Sequence, residues 1–166
     1  MAGLSIRGGK KNIVFKHDND WNTPKYAFDD IQHLIPKNKI IWEAFYGDGQ
    51  SGKYLQELGF TTEHHDIDFY DDPVFDYDII VSNPPYDSKP KVFKRLAEID
   101  KPFMMLLPVS TITKQFLKKY FKDQIQIVIP SKRIHFVKAG IQSKTAWFDT
   151  CWLCYGLNLE KDITFL

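Results

Sequence analysis

Cysteine is nearly absent from this chain. The two present fall in Thr150-Cys151-Trp152-Leu153-Cys154, with no second pair to complete a metal cage or a disulfide framework. Within an aromatic, strand-like run they read as buried structural thiols in a reducing compartment, and no metal site is expected. Long hydrophobic runs are missing too. Nothing approaches the roughly 18 apolar residues of a membrane span. The first residues carry charges but no apolar core of a secretory signal. A cytoplasmic protein with no membrane partner is expected. An excess of one charge is also lacking: the formal net charge is +1, so composition alone gives no argument for a polyanionic partner. Internal repeats and low-complexity tracts are absent.

What is present is the make-up of a single soluble domain. A length of 166 residues allows a real core, and 43% hydrophobic with 26% charged residues excludes disorder. Charge is uneven along the chain. Acidic residues gather between Asp66 and Asp78; basic ones gather in Lys10-Lys11, Lys89 to Arg95, Lys114 to Lys122 and Lys132 to Lys144. A positive face opposite a negative patch and a solvated mixture both fit this pattern.

The chain is organised around Asp76-Tyr77-Asp78-Ile79-Ile80-Val81-Ser82-Asn83-Pro84-Pro85-Tyr86. Tyr77 to Ser82 reads as a buried strand. Two prolines then remove two backbone donors and fix φ, so no ladder continues through them. Asn83 precedes a proline and is pushed out of the helical region. The product is a stiff hook at the carboxyl end of a core strand. Such a hook suits the methylation of an exocyclic amine. That nitrogen is a poor nucleophile because its lone pair is delocalised into the ring. The Asn83 side-chain oxygen and the Pro84 carbonyl would accept its hydrogens and favour a tetrahedral geometry, while Tyr86 would stack on the ring. The plainer reading is a strand that ends in a tight Pro-Pro turn.

Residues 1–20 read as a basic arm or an edge segment, and 21–166 as one domain. Thr23 and Pro24 suit the N-cap and first turn of a helix whose inner face is Tyr26, Phe28, Ile31, Leu34 and Ile35. Lys39 to Phe45 reads as the first core strand, followed by the turn Tyr46-Gly47-Asp48-Gly49-Gln50-Ser51-Gly52 and a helix to Leu58, ended by Gly59. Glycines between strand and helix let a ligand approach the backbone closely. Phe60 to His65 reads as the second strand. Asp66 follows it, 17 positions after Gly49, where an acid suits a ribose diol. Later elements are a helix bearing Val92, Phe93 and Leu96, a strand from Phe103 to Leu107, a helix from Thr113 to Phe121, and a strand from Gln126 to Ile129. Two last strands follow: Arg133 to Val137, and Ala146 to Tyr155, which Gly156 ends. Their connection is a basic turn. The alternation implies a three-layer α/β fold with a mostly parallel sheet and a terminal antiparallel hairpin at one edge. Ligands in such sheets sit outside the strands' carboxyl ends, where the glycine turn and the hook would both lie.

Glu43-Ala44-Phe45-Tyr46-Gly47-Asp48-Gly49 together with Asn83-Pro84-Pro85-Tyr86 resembles the amino-methylating S-adenosylmethionine-dependent methyltransferases. The N6-adenine DNA methyltransferases, including small phage and viral forms, are the best match, over about residues 21 to 156. The resemblance implies a Rossmann-like class I methyltransferase fold. It implies methyl transfer from S-adenosylmethionine to adenine N6 in DNA, through a base flipped from its stack. Asn83, Pro84, Pro85 and Tyr86 would then be catalytic. Phe45, Gly47 and Gly49 would line the cofactor, with Thr23, Pro24 and Glu43 at its amino-acid end. Asp66 would hold the ribose, Ile67 would cover the cofactor adenine, and Asp68, Asp71 or Asp72 would reach the adenine amino group. Apart from the resemblance, the charges of Lys89, Lys91, Lys138 and Lys144 suit phosphate contacts, which would make binding weaken steeply with salt. A viral chain would work inside a host cell.

The sequence departs from the family in two respects. Tyr46 and Asp48 make the turn bulky and charged, and no separate target-recognition domain is present. A recognition subunit or a homodimer would supply that function. RNA adenine and protein glutamine methyltransferases share the hook and stay open as alternatives. So does a non-catalytic partner subunit that keeps the fold. Gly47, Gly49 and Gly52 also fit a Gly-x-Gly-x-x-Gly spacing, which keeps a nucleotide-binding dehydrogenase open.

Overall fold

The computed structural model describes residues 21–138, 141–142 and 148–166. The expected N-terminal arm and Lys144 lie outside the described residues, as does the side chain of Lys138. Seven strands make one sheet: β1 (Ile40–Trp42), β2 (Thr61–Glu63), β3 (Ile79–Ser82), β4 (Phe103–Pro108), β5 (Gln126–Ile129), β8 (Thr150–Tyr155) and β9 (Ile163–Phe165). Two short strands, β6 (Val137–Lys138) and β7 (Ile141–Gln142), pair apart from it. The main sheet runs β2-β1-β3-β4-β8-β5-β9. Its neighbours are parallel except at the two flanks of β8. Helices α1 (Lys25–Ile31), α2 (Gln50–Glu57), α3 (Lys89–Ile99) and α4 (Gln115–Phe121) cover it.

The period of two along each strand sorts the core into two layers. Ile79, Val81, Met104, Leu106, Trp152 and Cys154 pack toward Phe28 and Ile31 of α1 and Leu55 of α2. Ile80, Phe103, Met105, Leu107, Cys151 and Leu153 pack toward Val92, Phe93 and Leu96 of α3 and Leu117 and Phe121 of α4. Strands buried on both faces lose their polar alternation, which is why β3, β4 and β8 read as continuous apolar runs. The two cysteines are buried and unlinked. Three residues apart on one strand, they face opposite layers, so they cannot grip one ion together. Burial pushes the Cys151 thiol up to about 12.

The chain leaves β1 for β2 on one side, then returns to place β3 on the other. That reversal opens a crevice at the carboxyl ends of β1 and β3.

The α/β layering and the mostly parallel sheet match the expectation. The placement of the antiparallel strand does not. β8 sits between β4 and β5 and is no part of an edge hairpin. Its six residues match β4 along their whole length, and all but Tyr155 are buried. An edge position would leave Trp152 and Leu153 with a bare flank. The edge belongs instead to β9, beyond Gly156, where Ile163 and Phe165 are exposed. The segment Arg133 to Val137 does not join the sheet. Its end bridges to Asn22, through Asn22 N–H to the Val137 carbonyl at 3.0 Å and Val137 N–H to the Asn22 carbonyl at 2.9 Å. Thr23 caps no helix either. α1 starts at Lys25 after an extended Pro24, and Thr23 turns its hydroxyl inward.

Candidate active site

The carboxyl ends of β1, β2 and β3 surround a cleft of about 390 Å³. The glycine turn and the hook meet across it. Of the residues picked from the sequence, Thr23, Glu43, Phe45, Gly47, Asp66, Ile67, Asn83 and Pro85 line the cleft. Pro24, Gly49, Pro84 and Tyr86 are chain neighbours of lining residues but are not in its wall. Trp21, Asn22, Ala44, Tyr46, Asp48, Ser51, Asp68, Phe69 and Tyr70 complete the wall.

The turn has the backbone its glycines permit. Gly47 has φ +57, and a Cβ there would fall 3.2 Å from Asn22 Oδ1. Gly49, at φ +79, is the N-cap of α2. Both conformations strain an L side chain. Asp48 accepts the Gln50 N–H at 3.1 Å, so its charge completes the cap.

Behind the turn lies a buried polar knot. Glu43, at the end of β1, is 1% exposed, and its Oε2 is 2.7 Å from His64 Nε2. Its Oε1 accepts from the Ser82 hydroxyl. Ser82 in turn accepts the Phe45 N–H at 3.2 Å. Burial raises the Glu43 carboxyl above its ordinary value, while His64 and Ser82 act in the opposite direction. His64 stacks on Tyr46, with centroids 4.6 Å apart and planes at 23°. Glu43 Oε1 is thus hydrogen-bonded within the protein, while Oε2 is buried against His64, although Glu43 borders the cleft.

The hook is held by its amide. Asn83 Nδ2 donates to the Trp21 carbonyl at 2.5 Å. A carbonyl accepts and cannot donate, so the amide nitrogen must face Trp21. Asn83 Oδ1 is left buried with no partner among the described residues. The Thr23 hydroxyl is likewise buried and, among the described residues, unpartnered. Tyr86 sits edge-on to Phe148 at 5.5 Å and Phe136 at 6.4 Å, and Trp21 also meets both rings edge-on. Burial holds the Tyr86 phenol well above its usual range, with the Asn83 side chain acting the other way.

Opposite the hook, Phe45 packs on Phe69 with centroids 4.7 Å apart. Asp68 lines the cleft and accepts the Tyr70 N–H at 2.9 Å. Asp71 and Asp72 do not line it; Asp72 pairs with Arg95 at 2.7 Å. Lys89 donates to the Tyr86 carbonyl at 2.7 Å, and Lys91 lies 3.7 Å over the Tyr70 ring. Burial and the nearby Lys114 lower the Lys89 ammonium below its ordinary value.

Sequence reasoning missed His64, Trp21, Phe69 and Phe136 as parts of this site. The only available signal for His64 was its place at the end of a strand, beside the acid Asp66. Trp21 acts through its carbonyl, which no side-chain pattern reveals.

No family model matches the chain, and no curated protein matches it. Solved structures do. A Listeria monocytogenes protein provisionally assigned as a class I S-adenosylmethionine-dependent methyltransferase superposes with a TM-score of 0.52 at 14% identity, over 90% of this chain and 66% of that one. A dimethyladenosine transferase from Plasmodium falciparum superposes with a TM-score of 0.46 at 13% identity, over 81% of this chain and 62% of that one. The chain thus spans about two thirds of the length of these proteins. At such identities the first likeness speaks to architecture: this chain has the Rossmann-like fold of the class I methyltransferases.

Proposed function

We propose that the protein transfers a methyl group from S-adenosylmethionine to the exocyclic N6 amine of adenine in DNA. One observation carries the reading. Asn83 Oδ1 is a buried acceptor without a donor among the described residues, held at the cleft by a bond that fixes its orientation. Buried polar atoms are nearly always satisfied, so an orphan at a cleft calls for a ligand donor.

The residues present fit the cofactor. The cleft volume falls in the range of about 300–1,000 Å³ typical of small-molecule sites. The orphaned Thr23 hydroxyl offers a polar contact at one end. Gly47 and Asn22 leave room where a side chain would intrude. Asp66 suits a pair of ribose hydroxyls, and Ile67, 39% exposed, offers an apolar cover for a purine. Asp68 is the one of the three neighbouring acids in the cleft wall, so it is assigned to the purine amino group.

When bound, S-adenosylmethionine supplies an electrophilic methyl carbon. The protein supplies alignment. Asn83 Oδ1 and the Pro84 carbonyl accept the two N6 hydrogens and draw the nitrogen out of conjugation. The ring lies against Pro85 and Trp21, both in the cleft wall, with Tyr86 the next residue along the hook. The neutral amine is the nucleophile, so no base is needed before attack, and its proton leaves afterwards. A recognition subunit or a second copy reads the flanking bases.

The test is labelled methyl transfer from S-adenosylmethionine to DNA, RNA and protein side by side. Label in N6-methyladenine of DNA is the expected result. Label only in RNA or in glutamine would move the substrate assignment. No label, with no calorimetric binding of S-adenosylmethionine, would remove the reading.

A further inference from the structure

We propose that Glu43 and His64 are positioning residues: together they form an internal strut that sets the gap between the glycine turn and the hook, and neither contacts the ligand. The inference builds on the methyl-transfer reading only for its kinetic consequence.

The geometry supports a strut in three ways. First, the contacts join three strand ends. His64 follows β2, Glu43 follows β1 and Ser82 closes β3. The path runs from His64 Nε2 to Glu43 Oε2 at 2.7 Å, from the Ser82 hydroxyl to Glu43 Oε1, and from the Phe45 N–H to Ser82 Oγ at 3.2 Å. Ser82 immediately precedes Asn83, and Phe45 lies two residues before Gly47. The knot therefore ties the acceptor to the turn.

Second, the imidazole has no room to turn elsewhere. Tyr46 stacks on one side. On another, a Cβ on Gly52 would fall 2.0 Å from His64 Nδ1. Gly52 keeps the space His64 fills, which accounts for the third glycine of the Gly-x-Gly-x-x-Gly spacing without a dinucleotide.

Third, Glu43 turns Oε1 to the Ser82 hydroxyl and buries Oε2 against His64, so neither oxygen is exposed to a ligand's ammonium. Burying an acid is costly unless it is paired and hydrogen-bonded, and this one is both. Transfer chemistry is sensitive to placement, since an error of about 1 Å can cost about 100-fold in rate.

Three variants of the full chain, E43Q, H64A and H64Q, test the strut, with three readouts: exchange of the Phe45 amide hydrogen by NMR, calorimetric affinity for S-adenosylmethionine, and kcat. In E43Q the glutamine accepts from Ser82 and donates to a His64 tautomer that presents a bare Nε2. All three readouts should stay within about threefold of the parent. In H64A the strut loses one end. Phe45 exchange should speed up by about tenfold or more relative to β4, kcat should fall by a similar factor, and affinity should change little. H64Q, which restores a donor, should recover much of the loss. If H64A does not fold, H64Q and E43Q decide.

A direct ligand contact gives a different pattern. E43Q would then lose about 30-fold or more in affinity with Phe45 exchange unchanged, and the proposal falls. It also falls if H64A leaves Phe45 exchange unaltered. Should the parent protein neither bind S-adenosylmethionine nor transfer methyl, the functional reading fails alone, and the exchange data still judge the strut.

Discussion

The Asn83 side chain donates to the backbone carbonyl of Trp21 at 2.5 Å, across 62 positions of sequence. This bond does more than anchor a loop. It distinguishes the two ends of a nearly symmetric amide, so that the oxygen and not the nitrogen remains at the cleft.

Removing the acceptor should therefore separate binding from transfer. N83A is expected to lower kcat by about 100- to 1,000-fold, as loss of a preorganised polar group does elsewhere. Cofactor affinity by calorimetry should stay within about threefold, because Thr23, Phe45 and Asp66 remain. N83D is the more telling variant. A carboxylate cannot donate to the Trp21 carbonyl, and two acceptors 2.5 Å apart repel. It should lose both rate and melting temperature, whereas N83A should lose mainly rate. Equal activity in N83A and the parent would remove Asn83 from the chemistry.

Gly52 makes a purely steric prediction. Its φ is not among the positive ones, so alanine fits its helical backbone. Alone, that exchange would favour the helix by about 1 kcal/mol. The added methyl would instead meet His64 at 2.0 Å. Overpacking of this kind costs about 1–3 kcal/mol, so G52A should lower the melting temperature by a few degrees. In an H64A background the same change should become stabilising. A reversal of sign in that double-mutant cycle isolates the contact.

The fold was legible where burial is complete. β3, β4 and β8 carry apolar side chains on both faces, and a continuous apolar run is hard to misread. Strand order was not legible. Which neighbour β8 takes depends on six residues of register with β4, a non-local fact. β9 was missed because its three residues bury little and sit after Gly156, which reads as a stop. Gly47, Asp66 and Asn83, picked out by backbone chemistry and spacing, all border the cleft. Glu43 was read as facing a ligand; it borders the cleft, with Oε1 bonded to Ser82 and Oε2 lying 2.7 Å from His64. A carboxylate at a strand end has the same sequence signature in either orientation. Lys89 and Lys91 were read as phosphate contacts from charge alone. Their ammonium groups are engaged by a carbonyl and a ring of the protein itself.

Glu43 should also leave a mark on the pH dependence of stability. Burial raises its folded-state pKa above the ordinary 4.5. The native protein then holds this proton more tightly than the unfolded chain does. Below about pH 4.5 both states are protonated and the contribution is fully present. As pH rises from there through the raised value, the unfolded chain releases its proton first and stability declines. Glutamine has no proton to lose. E43Q should therefore gain on the parent as pH climbs from 4.5 toward neutrality, by about 1.4 kcal/mol for each pKa unit of elevation. Urea midpoints across that window measure the difference. A constant difference would mean that His64 and Ser82 fully offset the burial.

The phosphate path is best sought at Lys114. This residue is exposed beside α4, and its charge lowers the ammonium of Lys89, which lies next to the hook. Lys89 itself is drawn toward the Tyr86 carbonyl, and Lys91 toward Tyr70. A nucleic-acid backbone that delivers a base to Asn83 would meet Lys114 as an available cation close to the hook. K114A should weaken DNA binding about equally for all sequences and reduce the slope of log affinity against log salt by about 1. K91A should instead disturb the Tyr70 side of the cleft, lowering cofactor affinity while leaving the salt slope intact. The opposite pattern, a slope lost in K91A and kept in K114A, would show that Lys91 leaves its ring when DNA arrives and that the strand runs along α3.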